Sequence, residues 1–152
     1  MIGFRCGLFL VAVVLLAGCF TKQATKNTGP LVINVLDKAL YDDCHIPGSV
    51  RVDFDKVERY VSDYKKDHPI VVYCSNFACM TSHFVVNKLI EKGYTQARIY
   101  AGGMADWYQA GYPVEGPAQQ PYLHKKMELE DKEADRLPTI NTQELAELLK
   151  IV

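Results

Sequence analysis

The sequence predicts an α/β fold, with helices layered on a mainly parallel sheet. Three observations predict it. Short apolar runs rich in β-branched residues occur at 31–36 and 70–73, and Ala97-Arg98-Ile99-Tyr100 is a further short strand candidate, each bounded by turn residues. Segments with helical spacing of apolar residues lie between them, and strands alternating with helices favour parallel pairing. The composition, 49% apolar and 23% charged, is that of an ordinary globular domain.

Taken in order, Leu31-Val32-Ile33-Asn34-Val35-Leu36 is the first strand, apolar enough to be buried on both faces. Residues 37–43 form a short helical turn, His45-Ile46-Pro47-Gly48 a tight turn, and 49–52 a second short strand. Residues 53–67 carry Phe54, Val57, Val61 and Tyr64 at helical spacing, which predicts an amphipathic helix with Asp53 as N-cap. Pro69 ends the connection, and 70–73 is the third strand. Residues 81–92 form the next helix, stopped by Gly93. Residues 97–100 are the fourth strand. Gly102-Gly103 turns the chain into a short helix, 104–110, whose Trp107 reads as core.

The N-terminus is different in kind. Met1-Ile2-Gly3-Phe4-Arg5 is a short positive segment, and the apolar run 7–16 is too short to span a bilayer comfortably. It ends in Leu16-Ala17-Gly18-Cys19, which resembles a bacterial lipobox. That resemblance implies a signal peptide over 1–18 and a diacylglycerol on Cys19. It also implies a tether over 19–30 and a domain on the periplasmic side of a membrane, in the cell envelope. The formal net charge of −1 gives no reason to expect a nucleic-acid partner. A monomer is expected. Removing Cys6 and Cys19 from the five cysteines leaves Cys44, Cys74 and Cys79 for the folded domain. An odd count in an oxidising compartment leaves one thiol free or paired elsewhere.

The candidate site is the loop after the third strand. Cys74 stands where that strand ends, and the loop runs onto a helix N-terminus, where amides lack intrahelical partners and the dipole is positive. A thiol there loses its proton more readily, and an anion beside it is stabilised. In open α/β sheets, function lies outside the carboxyl ends of the strands.

Residues 31–116 resemble a rhodanese domain. The matching pieces, in order, are the first strand, His45-Ile46-Pro47-Gly48, Val71-Val72-Tyr73-Cys74 with Ser82 opening the helix, Gly93-Tyr94, Gly102-Gly103 through Trp107, and Gly111-Tyr112-Pro113-Val114. The resemblance implies a three-layer fold around a mainly parallel five-stranded sheet. It implies a sulfurtransferase in which Cys74 takes sulfane sulfur from a small donor, holds it as a persulfide and passes it to a thiol or other thiophilic acceptor. The only carried group is then the covalent sulfur on Cys74; no other cofactor and no metal is expected. The amides of Ser75, Asn76, Phe77, Ala78, Cys79, Met80 and Thr81 are the expected cradle for the persulfide anion.

This sequence departs from the family pattern in three places. The loop from Cys74 to Ser82 is two residues longer than usual and carries Cys79. No Arg or Lys occurs between Cys74 and His83, so the loop lacks the cation that holds thiosulfate in the family. His83 and Arg51 are the substitute cations that sequence logic offers. The family's Asp-x-Arg after the first strand reads Asn34-Val35-Leu36, which predicts a local rearrangement, and Cys44, replacing a Gly, reads as a small buried side chain.

Cys79 has two readings, a small apolar residue seating the helix or a resolving thiol for Cys74. A zinc site from Cys74, Cys79 and His83 lacks a fourth ligand nearby. Met80, where related phosphatases and arsenate reductases need an Arg, argues against those activities. The alternatives to sulfur transfer are a thiol–disulfide module using Cys74 and Cys79, and a catalytically inactive domain that binds a partner protein.

The family's opening strand and helix have no match before Leu31, but the C-terminal stretch Thr139-Ile140-Asn141-Thr142-Gln143-Glu144-Leu145-Ala146-Glu147-Leu148-Leu149 resembles them. The expectation is a circular permutation, with 137–152 packing on the domain and the charged segment 117–136 carrying the chain across as linker or helix. The rivals are a truncated second repeat or a detached tail. Asn141 or Thr142 would cap the final helix, with Leu145, Leu148 and Leu149 on its apolar face.

Overall fold

Each of the first, third and fourth strands is a run of four residues with scarcely a charged side chain, and such runs tolerate burial on both faces. In the computed structural model, which describes residues 29–126 and 137–151, they are β1 (Leu31–Asn34), β3 (Ile70–Tyr73) and β4 (Ala97–Tyr100). The second strand shortens to β2 (Val50–Arg51). All neighbours pair in parallel, in the order β2-β1-β3-β4, so β3 is flanked on both sides.

Side chains leave alternate faces of each strand, and this makes two cores. On one face, Leu31, Ile33, Ile70, Val72 and Ile99 meet Val57, Val61, Val85, Val86 and Leu89. On the other, Val32, Val71, Tyr73 and Tyr100 meet Cys44, Ile46, Met104, Trp107, Leu123 and Leu145. Helices α1 (Lys38–Asp43), α2 (Val57–Tyr60), α3 (Thr81–Glu91), α4 (Gly103–Gln109) and α5 (Thr142–Leu148) supply the outer layers. The expected α/β layering is therefore present, and Trp107 and Cys44 are wholly buried.

The sheet has four strands, where five were expected. The segment at the fifth position does lie beside β4 and parallel to it, but only Thr139 bridges, to Ile99. Ile99 donates to the Pro138 carbonyl at 2.9 Å and Ile140 donates to the Ile99 carbonyl at 2.9 Å. The ladder goes no further because Pro138 has no N–H to give and Asn141 already caps α5. That cap is a full capping box: the Asn141 side chain accepts from the Glu144 amide, and the Glu144 carboxylate accepts from the Asn141 amide.

The expected long helix over 53–67 is also cut short. Phe54–Lys56 is a 3-10 turn, α2 is one turn long, and the rest is turns. Asp53 makes no side-chain cap because Arg51 and Lys56 take its carboxylate. Val57 and Val61 are buried, Phe54 is exposed, and beyond Val61 the chain has little apolar surface to bury. Ser62 and Asp63 favour turns there over helix.

The segment after the main domain is tied down at its start. The Asp43 carboxylate accepts from the amides of Gln119 and Gln120, and the 3-10 turn Pro121–His124 buries Leu123 in the second core. The signal segment 1–18, Cys19, most of the tether and residues 127–136 of the charged segment lie outside the described residues. Among the described residues, no helix is long and apolar enough to cross a membrane.

Candidate active site

Cys74 follows β3 and keeps its alternation: Ile70, Val72 and Cys74 share the face that packs on α3. Its residue is 3% exposed. Tyr73, facing the other way, is fully buried; its hydroxyl accepts from the Ile46 amide at 3.1 Å and pairs with the Ser49 hydroxyl at 2.9 Å. One residue before the cysteine, the strand is thus bolted to the His45–Ser49 turn. Burial pushes the Tyr73 phenol up to about 12, so it stays a neutral structural group.

The backbone after Cys74 is fixed from β4's side. The amides of Met104 and Ala105, orphan donors in the first turn of α4, donate to the carbonyls of Cys74 at 3.0 Å and Ser75 at 2.9 Å. Gly103, with φ of +62°, makes this close approach feasible: a β-carbon there would lie 2.7 Å from the Cys74 oxygen and 2.8 Å from the Asn76 nitrogen.

Asn76 then folds the loop back on itself. Its side-chain oxygen accepts from the Ala78 amide at 3.1 Å, and its carbonyl accepts from the Cys79 amide at 3.0 Å. This turn brings Cys79 to Cys74, and the two form a disulfide with Cα atoms 6.1 Å apart. The disulfide lies just before Thr81, the first residue of α3. Cys44 is a free, buried thiol on the opposite core, pushed up to about 11 first by burial and then by the Asp43 charge.

The expected cradle residues are placed as follows. Ser75, Asn76, Phe77 and Cys79 are partly exposed, Ala78 and Met80 are exposed, and Thr81 opens α3. In this disulfide form the amides of Ala78 and Cys79 bond Asn76, so those two expected donors are taken. Of the two substitute cations, His83 is buried on α3. Arg51 ends β2 with β1 between it and β3, and its guanidinium holds the Leu36 carbonyl and the Asp53 carboxylate. The Asn34 side chain accepts from the Leu36 amide at 2.8 Å, so Asn34 and Arg51 together fix the backbone corner after β1.

Sequence reasoning passed over Lys125. It lines a small recess with Asn76, Phe77, Gly102, Ala105, Asp106 and Gln109, and it is the only cation among them. It arrives from the segment after the main domain, placed by the Gln109 side chain, which donates to the Leu123 and Lys125 carbonyls. The ties from Asp43 to Gln119 and Gln120 and from Gln109 to this stretch, invisible in local sequence, bring it back to the loop.

A cysteine at the carboxyl end of a central parallel strand, on a backbone-clamped loop leading into a helix, defines a thiol-chemistry α/β domain. The chain belongs to the rhodanese-like domain family, whose pattern matches residues 21–110. It is 25% identical over 92 residues to the thiosulfate sulfurtransferase GlpE of Coxiella burnetii, covering 60% of this chain and 83% of that protein. It is similar in fold to the rhodanese-like domain of the Anabaena sp. Alr3790 protein, with TM-score 0.51, 28% identity, and coverage of 57% of this chain and 87% of that one. The BH2092 protein of Bacillus halodurans shares the fold at TM-score 0.53 and 24% identity, over 71% of this chain and 76% of that one. Membership of the rhodanese-like family is thereby established, and C-terminal residues 137–151 lie beyond the family match.

Proposed function

We propose that the protein is a sulfurtransferase of the cell envelope that carries sulfane sulfur on Cys74. One observation carries the reading: Cys74 ends the central strand, its carbonyl clamped by α4 and its loop entering the N-terminus of α3. The reduced Cys74 thiolate attacks the sulfane sulfur of a small donor. A new S–S bond forms on Cys74, the donor's S–S bond breaks, and sulfite or a thiolate leaves with the electron pair. The persulfide anion gains from the positive end of α3, eleven residues long. It then passes its outer sulfur to a thiol or other thiophilic acceptor. The lipobox-like Leu16-Ala17-Gly18-Cys19 supports tethering at a membrane through lipid on Cys19.

The Cys74–Cys79 disulfide favours a second reading, a thiol–disulfide module. Both begin with reduction of that bond. The test is to reduce the protein and offer thiosulfate and low-molecular-weight persulfides in turn. The mass of the tryptic peptide 67–88, which holds both cysteines, is then measured, along with thiocyanate after cyanide addition. Sulfur transfer predicts one added sulfur on Cys74 and thiocyanate formation, both lost in Cys74→Ser. If no donor ever adds a sulfur or yields thiocyanate, the sulfurtransferase reading is wrong and disulfide exchange takes its place.

A further inference from the structure

We infer that Cys79 discharges the Cys74 persulfide, so that the outer sulfur leaves as hydrosulfide and the Cys74–Cys79 disulfide is the closing product of each turnover. This rests on the sulfurtransferase reading and adds two things to it: the released product and the class of partner that must follow. The product is sulfide, and the partner is a dithiol reductant.

Three observations converge. First, the sulfurs reach one another. The disulfide closes across a Cα separation of 6.1 Å, inside the usual range. Second, Cys79 is delivered by a built turn. Asn76 holds the Ala78 and Cys79 amides at once, so the thiol is presented at high effective concentration to whatever Cys74 carries. The helix terminus that follows at Thr81 favours its thiolate. Third, the two cysteine residues differ in exposure. The Cys74 residue is 3% exposed, whereas Cys79 is partly exposed. A small donor suits the buried sulfur, while a bulky acceptor is kept from it. Cys79 is the side from which a protein dithiol can work.

The chemistry balances. The Cys79 thiolate attacks the Cys74 Sγ of the persulfide. The Cys79–Cys74 S–S bond forms, the bond from Cys74 Sγ to the outer sulfur breaks, and that sulfur leaves as HS⁻ with the electron pair. The sulfane sulfur is reduced by two electrons, which the two cysteine thiols supply in becoming a disulfide. An external dithiol then attacks Cys79, passes through a mixed disulfide, and leaves both cysteines reduced and itself oxidised. With thiosulfate as donor, a full cycle yields sulfite, sulfide and one oxidised dithiol.

A single-turnover experiment tests this without any reductant present. The full chain is reduced, desalted under argon and mixed with one equivalent of thiosulfate or of a small persulfide. Released sulfide is measured, and peptide 67–88 is weighed. The expected result is about one sulfide per chain and a peptide lighter by two hydrogens, since resolution is intramolecular. In Cys79→Ser the sulfur should accumulate on Cys74 and sulfide release should fall by at least about tenfold, recovering only when external thiol is added. If the wild-type peptide keeps the added sulfur and no sulfide appears, the inference is overturned while the persulfide carrier stands. If a disulfide forms without sulfide, the bond is adventitious oxidation and the inference also fails. If neither protein ever gains sulfur or releases sulfide, both readings fall together. The wild-type measurement decides on its own, whatever the stability of the variant.

Discussion

Gly103 and Cys74 are packed backbone to backbone: the space a β-carbon would need at Gly103 is occupied by the Cys74 carbonyl oxygen, 2.7 Å from that position. The next amide, that of Met104, donates to the same oxygen. Position 103 is also in the left-handed region, at φ +62°. The end of β3, Cys74 and α4 are therefore one mechanical unit, and glycine, lacking a β-carbon, is the residue that lets them meet.

Gly103→Ala is expected to cost stability and to disturb the site together. The left-handed backbone alone contributes about 1 kcal/mol, and the steric overlap adds to it. Melting temperature should fall, and Cys74 in the reduced protein should become more accessible to alkylating reagents. A variant with unchanged melting and unchanged alkylation rate would show that the clamp does not control the loop.

Lys125 should affect an anionic donor through binding. Removing it by Lys125→Ala is expected to raise KM for thiosulfate about two- to fivefold, with kcat little changed, as suits an exposed charge. The difference should shrink at high ionic strength. Steady-state kinetics on the reduced protein at two salt concentrations check this; an equal effect on an uncharged donor would mean that Lys125 acts by packing.

Alkaline pH should unfold the protein earlier than ordinary side chains would imply. Cys44 rises from 9.0 to about 11 and Tyr73 from 10.0 to about 12, each chiefly by burial. Below about pH 9 both groups are protonated whether folded or not, and their stabilising effect is complete. Above it the unfolded chain releases protons that the folded chain retains, so stability falls until the folded values are passed. Each group accounts for on the order of 2 kcal/mol across that window. Denaturant midpoints measured from neutral to strongly alkaline pH should drop, and Cys44→Ala should flatten part of the slope.

The position of Cys74, the strand before it and the helix beyond it were legible because local pattern dictates them. A β-branched run ended at Cys74, and the glycines at 93 and 102–103 marked the turns on either side of β4. The length of the helix after Asp53 was not legible, since periodicity continued to Tyr64 while burial ended near Val61. Nor were the contacts that depend on distant pairing. Asp43 holding Gln119 and Gln120, and through them the approach of Lys125 to Asn76, leave no local trace in the sequence. The role of Cys79 stayed open for the same reason. Its spacing from Cys74 permits a bond, but the turn at Asn76 is what closes it.

The C-terminal segment is expected to be a structural part of the domain. Leu145 and Ala146 are fully buried and Ile140 nearly so, against Tyr100, Met104 and Trp107 in the second core. The Thr142 hydroxyl joins the Tyr100 hydroxyl and the Asp106 carboxylate, tying α5 to both β4 and α4. Because α4 also clamps Cys74, loss of this tail should reach the active loop. Leu145→Ala should cost about 2–5 kcal/mol, as buried leucines do when truncated. Asn141→Ala, which dismantles the capping box, should cost about 1 kcal/mol. Deleting 137–152 should lower the melting temperature by more than either substitution and slow sulfur loading of Cys74. An unchanged midpoint after deletion would mean that the tail is detached, and the four-stranded sheet would then have to be stable with the Trp107 face uncovered.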